Sequence, residues 1–101
     1  MKFEEFWKKI QKEDSKLKLK TRARGQDFTL SYDSHYDEVV VVPESTRMPR
    51  HIVRKDFEKV WNKFKEIEGN PYRPGYYQRD THNASYILAI MEHFLKGGKA
   101  E

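Results

Sequence analysis

The apolar residues of this chain repeat with a helical period at both ends of the sequence and with a period of two in between. Near the N-terminus they recur at i, i+3, i+4 and i+7, as Phe3, Phe6, Trp7 and Ile10. This spacing places them on one stripe and predicts an amphipathic helix over residues 2–13. The change of period that follows predicts that the same chain also forms strands.

The middle of the sequence predicts a small antiparallel sheet. Leucines and lysines alternate over 17–20, and apolar and hydroxyl side chains alternate over 28–32, which indicates two half-buried strands that can form a hairpin. The β-branched run over 39–42 indicates a central strand. The apolar pair at 52–53 can supply a fourth strand.

Helical periodicity returns after the strands. The apolar positions of the second predicted helix are Phe57, Val60, Trp61, Phe64 and Ile67. Gly69 follows them and ends the helix. A last helix follows a cap at Thr81 or Asn83, and its apolar side chains cover most of its circumference. Such a helix is expected in the centre of the core.

A chain of 101 residues fits one domain, here residues 1–101. The order of elements predicts an α+β fold with an N-terminal helix, an antiparallel sheet of three or four strands, and two C-terminal helices packed on one face. The absence of cysteine fits a reducing compartment. Charges interrupt the apolar residues near Met1 too often for a signal peptide or a membrane span. We therefore expect a cytoplasmic protein with no membrane partner.

The basic residues are distributed unevenly along the chain. Lysine and arginine number 20 against 16 acidic residues, so the net charge of +4 is modest and the placement of the charges matters more than their sum. Every even position from 16 to 24 is basic: Lys16, Lys18, Lys20, Arg22 and Arg24. On one strand face, alternate side chains repeat about every 6.6 Å, which suits a row of phosphates. The alternative is a solvated strand face whose lysines discourage edge-to-edge aggregation.

A second run of positive charge lies further along the chain and contains Arg47, Arg50 and Arg54. Acidic residues fall between the two basic runs. If the sheet brings both runs to one side, the domain has a basic surface whose arginines can hold phosphates with two hydrogen bonds each. If the acidic segment folds over that surface, its charge is neutralised.

The segment over 71–83 combines aromatic and basic side chains without periodicity, among them Arg73, Tyr76, Tyr77 and Arg79. Such a loop can stack on unpaired bases and contact phosphates. The same composition is typical of protein-binding surfaces. A third interpretation is structural, with the tyrosines covering the edge of the core.

The start of the last helix carries Thr81, His82, Asn83 and Ser85 near backbone N–H groups that have no partner within the helix. With Arg79 nearby, this is a candidate anion site. The alternative is ordinary capping by Thr81 or Asn83.

No pattern in the sequence predicts catalysis. Asp33, His35 and Asp37 have a spacing that can hold a metal, but aspartates are also common in turns for backbone reasons. The sequence contains no glycine-rich phosphate loop, no GxSxG and no HExxH motif. We therefore assign no catalytic residue, no metal and no cofactor.

Together these features predict a small non-enzymatic nucleic-acid-binding domain, with DNA ahead of RNA. The predicted contacts are the cations of the two basic runs and the loop residues named above. The alternative is a protein-interaction or regulatory module that binds another protein through the 71–83 loop.

Overall fold

The computed structural model describes residues 1–13, 16–96 and 100–101. The elements are α1 (Phe3–Gln11), β1 (Leu17–Lys20), β2 (Asp27–Asp33), β3 (Glu38–Pro43), β4 (Arg50–Val53), α2 (Arg54–Glu66), a short 3₁₀ helix (Pro74–Tyr77) and α3 (Ala84–Leu95). The predicted α+β class and order of elements are confirmed. The fourth predicted strand is also present, and α2 follows it without a connecting loop.

The four strands form one antiparallel sheet in the order β1-β2-β3-β4. Phe28 pairs with Leu19 on one side and with Pro43 on the other, and Val39 pairs with Tyr32 and Ile52 in the same way. These apolar rows belong to the buried face, because burial alternates along the strands. Since each connection reverses the chain, the β1–β2 and β3–β4 connections lie at one end of the sheet and the β2–β3 turn at the other.

The core lies between the sheet and the helices. In α3, the side chains of Ile87, Ile90 and Met91 are fully buried, which confirms the central position predicted for this helix. Rings from α1 and α2 pack beside it, with the centroids of Phe6 and Trp61 4.9 Å apart. Burying an apolar side chain of this size stabilises the fold by about 1.5–3 kcal/mol.

The opposite face of the sheet carries the less buried positions of the strands. Lys18 and Lys20 alternate with the half-buried Leu17 and Leu19, so they extend from this open face. In the part of the chain that the structure describes, no helix combines the length and the apolar character needed to cross a membrane.

Candidate nucleic-acid interface

Basic side chains from two separate segments collect at one end of the sheet. The β1–β2 turn and the β3–β4 connection meet there, and the Glu44 N–H donates to the Asp27 carbonyl at 3.0 Å. The start of α3 reaches the same end, where the Arg50 Nη1 donates to the Asn83 Oδ1 at 3.3 Å. We call this region the basic end and define it by Lys18, Lys20, Arg22, Arg24, Arg47 and Arg50.

The opposite end of the sheet carries a group of acidic side chains. The β2–β3 turn and the residues beside it carry Asp33, Asp37 and Glu38, which we call the acidic end. Acidic side chains are not absent from the basic end: Asp27 lies 3.5 Å from the Lys20 Nζ, and Glu92 lies 2.5 Å from the Arg22 Nη1. Three of the five acids in the segment between the two basic runs thus lie at the acidic end, whereas Asp27 and Glu44 lie at the basic end.

The predicted straight row of five cations does not form, because β1 ends at Lys20. The chain then folds into a turn in which the Gly25 N–H donates to the Thr21 carbonyl at 2.9 Å and the Thr21 N–H donates to the Gln26 carbonyl at 3.0 Å. Arg22 and Arg24 lie in this turn, and Lys16 precedes the strand. Only Lys18 and Lys20 share the open strand face as predicted.

Arg22 instead reaches the helical layer. Its guanidinium group lies over the Tyr72 ring, 5.0 Å from the centroid, and also pairs with Glu92 on α3. The turn, the segment before α3 and α3 itself enclose a cavity of about 290 Å³. Arg22, Arg24, His82 and Ser85 all line it. The structure therefore brings together residues from two of the predicted site segments, the cation row and the start of α3.

Arg50 and Arg47 lie on either side of the sheet at the basic end. The Arg50 guanidinium lies 5.3 Å from the centroid of the Tyr86 ring, on the helical side. Arg47 lines a shallow cavity with Lys18, on the open side. The cations therefore surround the end of the sheet and do not lie on a single face.

Arg54 is not part of this surface. It lies at the other end of β4, where it forms ion pairs with Glu4 and, at 3.0 Å, with Glu58. Its guanidinium also lies 5.4 Å from the centroid of the Phe3 ring. These contacts connect α1 with α2, which corrects the prediction that Arg54 belongs to the basic surface.

Tyr77 is not available for binding either. Its side chain is fully buried, and its hydroxyl donates to the Pro71 carbonyl at 2.7 Å. Burial raises the pKa of Tyr77 to about 12. The structural interpretation is therefore correct for this tyrosine, whereas Tyr76, Arg73 and Arg79 are exposed on the same segment.

The residues of the candidate anion site at the start of α3 do not all face the same space in the structure. Thr81 is buried, and its hydroxyl donates to the Asp56 Oδ2 at 3.2 Å and accepts from the Asn83 N–H at 3.1 Å. Asn83 accepts from Arg50, and its side chain makes no capping hydrogen bond to α3. His82 and Ser85 remain at the cavity wall. Thr81 thus has a structural role close to the capping alternative, but it lies two residues before the N-cap Asn83.

The carboxylates with metal-like spacing accept hydrogen bonds from other groups of the protein. The Asp33 Oδ1 accepts from the His35 N–H at 2.9 Å, and the Asp37 Oδ1 accepts from the Trp7 Nε1 at 3.0 Å. Across the described residues, no three His, Asp or Glu side chains are grouped so as to hold a metal ion.

Two cavity residues, Tyr72 and Tyr86, were not among the predicted site residues. Tyr72 is half-buried against Phe64, with ring centroids 5.1 Å apart, and burial raises its pKa. Its contact with Arg22 joins positions far apart in the sequence, so no local pattern could have indicated it. Comparisons with family models, with curated protein sequences and with solved structures found no match to this chain.

Proposed function

We propose that this protein is a small non-enzymatic nucleic-acid-binding domain, with DNA ahead of RNA, and that it contacts phosphates through the basic end. The observation that carries the proposal is the convergence of six cations from separate segments at one end of the sheet, with acidic residues at the other. Separated charge of this kind orients a protein toward a polyanion.

Four of these cations have no carboxylate partner within the described ranges: Lys18, Arg24, Arg47 and Arg50. An unpaired, exposed cation can contact a phosphate without first breaking an ion pair. Neutralising about four phosphates on duplex DNA gives a slope of roughly −3.6 in the logarithm of the binding constant against the logarithm of salt concentration. Binding through the basic end is therefore expected to be strongly salt-dependent.

The size of the domain determines the length of the DNA duplex used to measure binding. Its longest dimension is 34 Å, which matches about ten base pairs at about 3.4 Å each. A 12-base-pair duplex therefore offers room for one molecule. Fluorescence anisotropy with this labelled duplex at 50 and 200 mM salt gives the affinity and its salt dependence.

The test variant is Lys18→Glu/Arg24→Glu, since both side chains are exposed and make no ion pair in the described structure. We expect at least tenfold weaker binding at 50 mM salt and a shallower salt slope, by about two, because two phosphate contacts are lost. The matched control, Lys55→Glu/Lys59→Glu, makes the same change in charge on exposed positions of α2.

Equal weakening by the two variants would mean that net charge alone drives binding, and the proposed interface would be wrong. No binding of DNA or RNA at 50 mM salt would overturn the function itself. That result would favour the protein-interaction alternative, in which the exposed Arg73, Tyr76 and Arg79 contact another protein.

A further inference from the structure

The cavity at the basic end has three walls from distant parts of the chain. The β1–β2 turn forms one wall, the segment with Tyr72 and Pro74 forms the second, and the first turns of α3 form the third. Its volume of about 290 Å³ is at the lower end of the range for small-molecule sites, roughly 300–1,000 Å³. A space of this size suits one nucleotide and is too small for a base pair.

One of the two cations at this cavity has partners that orient it. Glu92 and the Tyr72 ring orient the Arg22 guanidinium, which has five N–H donors and uses only part of them for Glu92. Arg24, which has no ion-pair partner among the described residues, lines the same cavity. Two guanidinium groups beside one opening favour an anion with several oxygens, such as a phosphate.

The remaining walls combine apolar and aromatic side chains with polar ones. Pro74, Leu88 and Ala89 line the cavity together with the rings of Tyr72 and Tyr86. Apolar and aromatic side chains next to two guanidinium groups match the two parts of a nucleotide, because a base has an apolar surface and the phosphate carries charge.

We propose that this cavity binds a single unpaired nucleotide, with its phosphate on Arg22 and Arg24 and its base against the apolar walls. The domain then prefers nucleic acid with a single-stranded end or gap over an uninterrupted duplex. This inference rests on the proposed nucleic-acid binding and specifies the form of nucleic acid that the basic end selects.

The experiment compares the blunt 12-base-pair duplex with the same duplex carrying a three-nucleotide tail, tested separately at the 5′ and the 3′ end. Contact of one unpaired base with the cavity walls adds to the affinity for a tailed duplex. We therefore expect at least about fivefold tighter binding for one or both tailed duplexes at a fixed salt concentration.

A variant that fills the cavity without changing charge separates this site from general electrostatic attraction. Ser85 is half-buried and lines the cavity, so Ser85→Leu occupies part of the space. We expect it to remove the preference for the tail while blunt-duplex affinity stays within about twofold. Ser34→Leu, an exposed position at the other end of the sheet, is the matched control and keeps the preference.

A second variant, Ala23→Leu on the opposite wall, decides the outcome if thermal melting shows that Ser85→Leu is unfolded. Equal binding of blunt and tailed duplexes by the unmodified protein would overturn the inference and leave the proposed function intact. A preference that survives both filled cavities would also overturn it. Failure of every duplex to bind would overturn the proposed function and the inference together.

Discussion

At the scale of single residues, the Asp37 carboxylate at the acidic end accepts hydrogen bonds from two different elements of the fold. Its carboxylate accepts hydrogen bonds from Trp7 on α1 and from the Tyr32 hydroxyl on β2, so it connects α1 with the sheet. The Tyr32 hydrogen bond lowers the pKa of Asp37, burial opposes this change, and the Trp7 hydrogen bond supports it. The ionised carboxylate is therefore the form that stabilises the fold.

This arrangement predicts a pH-dependent effect of Asp37→Asn. Asparagine keeps an acceptor oxygen and tolerates the left-handed backbone at this position, where φ is 51°, so the variant mainly removes the charge. Hydrogen bonds to a charged group contribute about 1.5–3 kcal/mol, and we expect the variant to be about 1 kcal/mol less stable at pH 7. Urea unfolding measures this difference.

The sign of the pH dependence follows from the lowered pKa of Asp37 in the folded state. The stabilisation is present above the unfolded value, near 3.8, and is lost as the pH falls through the folded value. The difference between the two proteins should therefore close below about pH 4, where other carboxylates affect both alike. A difference that is the same at pH 7 and pH 3 would contradict this account.

At the scale of elements, apolar patterns predicted the structure well and charge patterns did not. The apolar circumference of α3 correctly predicted its central position, because a helix with apolar side chains on nearly every side is stable only when other parts of the protein surround it. The alternating cations over 16–24 had no such constraint. In the sequence the alternation of basic residues continues past Lys20, but β1 ends there because the backbone of the next residues forms the hydrogen bonds of a turn. The cavity was also beyond prediction, since its walls meet only through tertiary packing.

The turn that follows β1 depends on Gly25, whose φ is +60°. No atom lies within 4 Å of an added Cβ there, so any cost of Gly25→Ala comes from the backbone conformation. A left-handed conformation costs an L-residue about 1–2 kcal/mol, and we expect a loss of that size in the free energy of unfolding. Gly75→Ala is the control, because its added Cβ is equally free and its φ is not positive. Equal stability losses for the two variants would contradict the conformational explanation.

At the scale of the whole molecule, the separation of the charged ends sets how far they influence each other. The strand β2 runs from Asp27 to Asp33 between the two ends, a distance of about 20 Å at roughly 3.3 Å per residue. The Debye length is about 8 Å at 0.15 M ionic strength and about 30 Å at 0.01 M. The acidic end should therefore repel a bound polyanion only in dilute buffer.

This comparison of lengths predicts how Asp33→Asn/Glu38→Gln changes DNA binding at the basic end. Both substitutions remove a charge and keep an acceptor oxygen, so the Asp33 contacts with the turn N–H groups are retained. We expect the affinity for the 12-base-pair duplex to stay within about 1.5-fold at 0.15 M ionic strength and to rise severalfold at 0.01 M. An equal rise at both ionic strengths would mean that the nucleic acid directly contacts the acidic end. The proposal that only the basic end contacts DNA would then be wrong, because the DNA would have to extend along the whole sheet.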